Sequence, residues 1–230
     1  VNLRKKLQRI YSEEDDTLKG MGKMVKSPYH TIAGNMVKEL GSEYPITDYY
    51  DFQDHLLGRG SSAEVVIGTS KRYQRRYAVK LVDMRKASAA WRYDREQSML
   101  KDLDHVNIVR LFEVYRKDRT LYFVMELCSG GHLGHALLEA GGKFPESTAK
   151  MYITQLTRAL MHCHMRGICH RDVKLQNVLV ESNAPDAQIK LIDFGNAARF
   201  PGKLPLTKIV GTTYTVAPEV FKQCYDERCD

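Results

Sequence analysis

The sequence predicts an α+β fold in two lobes, β-rich in the N-terminal half and mainly α-helical after it. Three observations predict it. Glycine-broken, β-rich segments run from Tyr49 to Met84, and a second β-rich stretch runs from Asn107 to Leu127. A long helical pattern follows from Pro145 to Gly167. The change from β-rich to α-rich falls near Leu127–Gly131, which suggests a cleft between two lobes. With 230 residues, 43% of them hydrophobic, the chain can build one large domain or two small lobes with a core.

The elements follow in order. "LRKKLQRI" has apolar residues at Leu3, Leu7 and Ile10, a helical spacing with basic residues between them. "SEEDDTLKGMGKMVKSPYH" is charged and has no sustained period. Residues 1–48 are therefore read as a partly flexible N-terminal extension. Its first ten residues would touch a membrane or partner if they did more than form an ordinary surface helix. "FQDHLLGRGSSAEVVIGTS" and "RRYAVKLVDM" read as an antiparallel meander. "AAWRYDREQSMLKDLDH" is a helix with apolar Trp91, Met99, Leu100 and Leu103. "NIVRLFEVYRKDRTLYFVMEL" is a hairpin turning near Lys117–Arg119. In "PESTAKMYITQLTRALMHCHMRG", Pro145 starts a long helix and Gly167 ends it. Short strands and loops follow. The predicted lobes are residues 49–127 and 128–230.

Composition narrows the function classes. The formal net charge is +7 and the pI about 9.1. No aromatic-interleaved basic stripe and no nucleic-acid motif accompanies that charge, so it is read as solvated Lys and Arg plus pockets for phosphate, with no nucleic-acid partner. No apolar run approaches a membrane span. No secretory signal is visible, although the chain opens on Val1. The five cysteines lack C-x-x-C spacing, which points to reduced thiols and a cytoplasmic setting.

Several constellations carry chemistry. Gly58-Arg59-Gly60 and the residues to Val65 lie between two strands, where glycines let backbone N–H groups approach a phosphate. A glycine-bearing hairpin is the plainer reading of that stretch alone. Lys80 sits inside the apolar strand "YAVKLV". It either faces solvent or meets a phosphate and a carboxylate, for which Glu96 on the next helix is the candidate. Asp172, Lys174 and Asn177 share a loop, and Asp193 follows after an apolar hairpin. Two carboxylates and an amide suit a hard cation, so Mg²⁺ is a better match than zinc. The rival zinc set, His162 and His164 with His132 and His135, fails because His162 and His164 cannot share a helix face.

Taken in order, these motifs resemble a eukaryotic protein kinase: the glycine-rich loop, A-V-K, the helix glutamate, H-R-D-x-K-x-x-N, D-F-G and Ala217-Pro218-Glu219. The match runs from about Tyr49 to Asp230. Within the kinases the chain is most similar to the calmodulin-regulated and calcium-dependent Ser/Thr group, on "ITDYYDF", "LDHVNIVRLFEVY", "LYFVMELCSGGHL" and "VGTTYTVAPEV…YDERCD". The resemblance implies a two-lobed kinase fold that transfers the ATP γ-phosphate to Ser/Thr hydroxyls of proteins, using Mg²⁺. It implies that Asp172 accepts the substrate proton, Lys174 neutralises the γ-phosphate, and Asn177 and Asp193 hold Mg²⁺. Lys80, held by Glu96, would grip the α/β-phosphates. Gly58, Gly60, Ala63 and Val65 would cover the phosphates. Val65, Ala78 and Leu179 would sandwich adenine, Glu126 and Cys128 would offer it hinge backbone groups, and Met125 would guard the rear pocket. Thr207 is the candidate phosphate acceptor of the activation segment, and the Thr212 hydroxyl is expected on Asp172 and Lys174.

The sequence also departs from the family pattern. Ala63 replaces the third glycine of the loop. The resemblance implies further helices after Asp230, including a partner for Glu219, so the chain reads as a kinase fragment with an incomplete second lobe. The alternative function is accordingly a non-catalytic, kinase-like scaffold. No D-x-D-x-D-G calcium loop occurs, so a calcium sensor or C-terminal regulatory segment would lie outside these residues. The two positions where the group usually carries acids for an upstream substrate arginine hold His132 and Gln176.

Overall fold

A computed structural model gives the structure of residues 37–59, 63–85, 87–184, 186–200 and 204–230; for residues 87–91 only the backbone is described. The described residues divide into two compact units, 37–83 with 112–125, and 84–111 with 126–230. No described helix is long and apolar enough to cross a membrane.

The first lobe is a six-stranded sheet of β1 (Lys38–Leu40), β2 (Tyr50–Arg59), β3 (Ala63–Ser70), β4 (Arg76–Asp83), β5 (Leu111–Lys117) and β6 (Thr120–Met125), in spatial order β1-β5-β6-β4-β3-β2. β2, β3 and β4 form the expected antiparallel meander. The β5–β6 turn uses Asp118 at positive φ, a conformation that a short polar side chain tolerates. β1 pairs parallel with β5, Lys38 opposite Glu113. The sheet therefore begins ahead of the boundary expected at residue 48. Val37, Leu40 and Ile46 are buried, and they hold the described part of the extension, residues 37–48, against the sheet. The core contains a tyrosine cluster in which Tyr50 and Tyr115 each donate to Glu113 Oε2 at 2.8 Å. Burial and that carboxylate push both phenols far up, so they remain donors.

The second lobe contains α1 (Ala87–Asp102), α2 (Leu133–Glu139), α3 (Glu146–Met165), β7 (Ile168–Cys169), β8 (Val178–Val180), β9 (Ile189–Leu191), β10 (Ala198–Arg199) and α4 (Pro218–Phe221). The sequence places α1 with the first lobe, but its packing groups it here. Arg95 donates to the Ala197 carbonyl at 3.2 Å, and Arg199 pairs with Asp102. α3 takes the predicted limits: Pro145 caps its start, and Gly167, at φ +66, ends it with a reversal that L side chains resist. Its inner face buries Gln155, Ala159 and Cys163 at helical spacing. Gln155 Oε1 accepts from Ile189 N at 2.8 Å and from Asn107 Nδ2 at 3.1 Å. That network ties the helix to β9, the strand that delivers Asp193.

Candidate active site

The catalytic-loop residues are positioned by three anchors, all within the second lobe. β7 pairs with β10, and β8 with β9, so His170–Asn177 and Asp193 both emerge from strand ends. His170 is fully buried. Its Nε2 lies 2.9 Å from the Ile192 carbonyl, its Nδ1 accepts from Asp172 N at 3.3 Å, and its ring stands edge-on to Phe194 at 4.9 Å. These contacts are those of a neutral ring, with the proton on Nε2. Asp230 provides the third anchor. Its Oδ1 accepts from Arg171 N at 2.6 Å, and its Oδ2 from His170 N at 2.7 Å. His164 Nε2 adds a contact to Oδ2 at 2.9 Å.

Asp172 is the hub. Thr212 donates to its Oδ1 at 2.6 Å; Lys174, Asn177 and Asn196 approach its Oδ2 at 3.0, 3.1 and 3.4 Å. Lys174 also donates to the Thr212 hydroxyl at 2.6 Å. Burial pushes the Asp172 carboxyl up, but the bonds from Thr212 and Lys174, the lysine charge and Asn177 outweigh it and hold the group below its ordinary value. Asp172 is thus a carboxylate throughout the neutral range. Gly211 makes the contact with Thr212 sterically possible. It sits at φ +107, and a Cβ there would lie 2.7 Å from the Arg171 carbonyl.

The donor set suits Mg²⁺. The Asn177 amide nitrogen is committed to the Asp172 carbonyl (2.8 Å) and Oδ2, which leaves its side-chain oxygen as the atom that could meet a cation. Ile192 N donates to the Asn177 carbonyl at 2.9 Å and brings Asn177 beside the residue that precedes Asp193. Asp193 itself holds the left-handed conformation, φ 62, with Oδ1 accepting from Gly195 N at 3.3 Å. Two hard oxygen ligands on one ledge fit Mg²⁺ and exclude a thiolate metal site there.

Arg171 is 8% exposed and already engaged: Nε donates to the Asn196 carbonyl at 2.7 Å and NH1 to the Tyr225 hydroxyl at 3.0 Å. Tyr225 donates in turn to the Lys208 carbonyl at 2.5 Å. Its backbone exchanges two bonds with Leu206. Thr207, next to these residues, is exposed. Glu219 lies in the first turn of α4 and has no side-chain ion pair among the described residues.

The first-lobe candidates are described within that lobe. Gly60 lies outside the described residues. Gly58 and Ala63 flank the β2–β3 turn, and Val65 and Ala78 lie on β3 and β4. Lys80 is half-buried, opposite Val65 and Phe123, with Nζ 6.0 Å from the Phe123 ring centre. It is therefore not a lysine projecting freely into solvent. Met125 ends β6. In the second lobe, Glu96 is 2% exposed on α1. Glu126 spends its N–H on the Arg110 carbonyl and its carboxylate on Lys190 at 2.7 Å, so only its carbonyl is open to a ligand. Among the described residues the Cys128 backbone makes no protein hydrogen bond, and Leu179 is half-buried on β8. The zinc alternative has no support: His164 is held by Asp230, and His162 packs on His105 at 4.9 Å.

Sequence reasoning missed Asn196, Tyr225 and His164, and assigned no role to the Asp230 carboxylate. Asn196 directly follows the D-F-G motif and carries the amide that reaches Asp172, so its place beside the motif was an available signal. The others act across dozens of residues.

With that geometry in place, comparison with known proteins gives the class. Residues 52–230 match the protein kinase domain, and the chain belongs to the protein kinase family. Its relatives are calcium-dependent protein kinases. It is 38% identical over 185 residues to calcium-dependent protein kinase 5 of Plasmodium falciparum, covering 80% of this chain and 32% of that one. It is 36% identical over 186 residues to calcium-dependent protein kinase 3 of Plasmodium yoelii yoelii, with 80% and 34% covered. The corresponding figures for CDPK-related kinase 3 of Arabidopsis thaliana are 35% over 181 residues, with 76% and 30% covered. The chain thus spans about a third of the length of these relatives.

Proposed function

We propose that the chain is the ATP-dependent core of a protein Ser/Thr kinase. The observation that supports this most is the Asp172–Lys174–Thr212 triangle, closed by bonds of 2.6 to 3.0 Å. It ties the activation segment to an ionised carboxylate and places a lysine two residues from it, where a transferring phosphate would need countercharge. Asp172 orients and deprotonates the incoming hydroxyl, and Lys174 stabilises charge on the phosphoryl group. Asn177 and Asp193 supply oxygen ligands to Mg²⁺, which neutralises phosphate charge when bound. Lys80 is assigned to the α/β-phosphates, with Glu96 as the carboxylate expected to hold it, and the loop from Gly58 to Val65 to covering them. Val65, Ala78 and Leu179 are assigned to the adenine faces, and the Glu126 and Cys128 backbone to its edge. Protein substrates and a calcium-responsive regulatory segment outside this chain belong to the same reading, as does a cytoplasmic location.

The test is phosphorylation of a degenerate peptide library by the full-length protein with ATP and Mg²⁺. Transfer to Ser and Thr peptides, lost in Lys80→Met, is expected. ATP binding without transfer at any metal concentration would establish the scaffold alternative instead.

Two further outcomes follow from the geometry. Asn196 and Tyr225 already hold the Arg171 guanidinium in place through neutral acceptors, so its position does not need a phosphate on Thr207. Thr207→Ala is expected to keep the rate within about twofold, whereas Tyr225→Phe should cost about 1–3 kcal/mol in denaturant unfolding. A rate collapse in Thr207→Ala would restore the phospho-switch. Substrate choice is the second. Gln176 is exposed and His132 half-buried, and His132 Nδ1 is spent capping α2 by accepting from His135 N at 3.0 Å. Neither offers a carboxylate to a guanidinium, so an arginine upstream of the target should confer about tenfold to a hundredfold less selectivity than a carboxylate pair would give. The same library, run on the protein and on Gln176→Glu with His132→Glu, reads the difference directly.

A further inference from the structure

Two cysteines that are far apart in sequence meet beneath the catalytic loop. Cys169 ends β7 one residue before His170, and Cys229 lies one residue before Asp230. Their sulfurs are 3.5 Å apart although 60 residues separate them. Cys169 is fully buried, Cys229 is partly exposed, and both join an apolar cluster with Ala198, Leu206, Val220 and Tyr225.

A metal site is the first alternative, because Cys169, Cys229 and the Asp230 carboxylate cluster closely enough to ligate an ion. Asp230, however, already spends its oxygens on His170 N, Arg171 N and His164. A cation would have to break the anchor of the catalytic loop to enter. Inert packing is the second alternative, since a free thiol is a good small hydrophobe. Access argues against it: Cys229 lines a small open cavity together with Asp172, Thr212 and Val216. A solute the size of a peroxide can reach that wall. Geometry argues the same way, because the sulfurs need to close by only about 1.5 Å to reach the disulfide length of about 2.05 Å.

We propose that Cys169 and Cys229 form a reversible disulfide, made by a peroxide that enters at Cys229. The Cys229 sulfur gives an electron pair to one peroxide oxygen and becomes a sulfenic acid, with one water released. The Cys169 sulfur then attacks the Cys229 sulfur. The S–S bond forms, the S–O bond breaks, and the departing hydroxide leaves as water with the Cys169 proton. Two thiols are oxidised and one peroxide is reduced to two waters. The order follows from the surroundings. The Cys229 contact and burial push the Cys169 thiol far up, so it is a poor first nucleophile. The bond would staple the strand that leads into His170–Asp172 to the segment that carries Asp230. It depends on sulfur geometry alone and holds whether or not the chain transfers phosphate.

The full-length protein, untreated and treated with hydrogen peroxide, is alkylated and digested with trypsin without reduction. Exposed Cys224 serves as the internal standard for peroxide dose. The expected product is Gly167–Arg171 joined to the peptide that begins at Cys229, lighter than the two free peptides by two hydrogens and released by dithiothreitol. The thermal midpoint of wild type should rise on oxidation by about 5 °C or more, and that of Cys229→Ser should not. Peptide mapping of wild type needs no variant, so a misfolded variant leaves the test intact. Three outcomes overturn the proposal: both thiols still alkylated after Cys224 is oxidised, Cys229 carried to sulfinic acid with Cys169 free, or Cys229 joined to Cys224.

Discussion

Asp172→Asn is expected to lower phosphoryl transfer on the order of 10³-fold while leaving the protein folded. The size of the effect comes from the donors around the carboxylate. Lys174, Asn177 and Asn196 all present hydrogens to Oδ2, and Thr212 presents one to Oδ1. An amide has one accepting oxygen, so one of the two sides must face an NH₂ group. The less costly rotamer keeps the oxygen toward Lys174 and turns the NH₂ toward Thr212, whose hydroxyl can accept but then loses its own acceptor. The variant therefore loses the base and loosens the hold on the activation segment together. Steady-state kinetics checks the first effect and a denaturant midpoint checks the second. Retention of more than about a tenth of the wild-type rate would remove Asp172 from its assigned role.

Much of this site was legible because it is written in local signals. Gly167 and Pro145 bracket α3, the β-rich runs mark β2 to β6, and Asp172, Lys174, Asn177 and Asp193 stand in fixed order between short apolar strands. Each of these needs only a few neighbouring residues. The rest required the fold. β1 has three residues and no pattern of its own; it exists because Lys38–Leu40 finds Glu113–Tyr115 some 70 positions later, where the burial of Leu40 offsets the ordering. The placement of α1 with the second lobe depends on Arg95 reaching the Ala197 carbonyl. Tyr225 looks like an ordinary core aromatic until its hydroxyl is seen between Arg171 and Lys208. Sequence motifs mark the groups that meet a substrate; the groups that aim them are spread through the chain.

Asp230→Ala is expected to be the most destabilising single change among these residues, by about 3–5 kcal/mol in the full-length protein, with activity lost in parallel. The Asp230 side chain is fully buried. It satisfies two backbone N–H groups of the catalytic loop and the His164 ring, so its removal leaves those donors without their acceptor. Those N–H groups belong to His170 and Arg171, and their neighbour Asp172 moves with them. The pH dependence follows from the carboxyl's environment. Burial pushes it up, but the His164 contact and the bonds from the Arg171 and His170 backbone hold it below the ordinary carboxylate value. A depressed folded pKa means that its contribution to stability is complete above the unfolded value of about 3.9 and is lost as pH falls through the lower folded one. The difference in unfolding free energy between wild type and Asp230→Ala should therefore stay level from about pH 5 to 8 and shrink only below about pH 4. Urea titrations across that range check it. A difference that already narrows well above about pH 5 would mean that the carboxylate is not the group that carries the anchor.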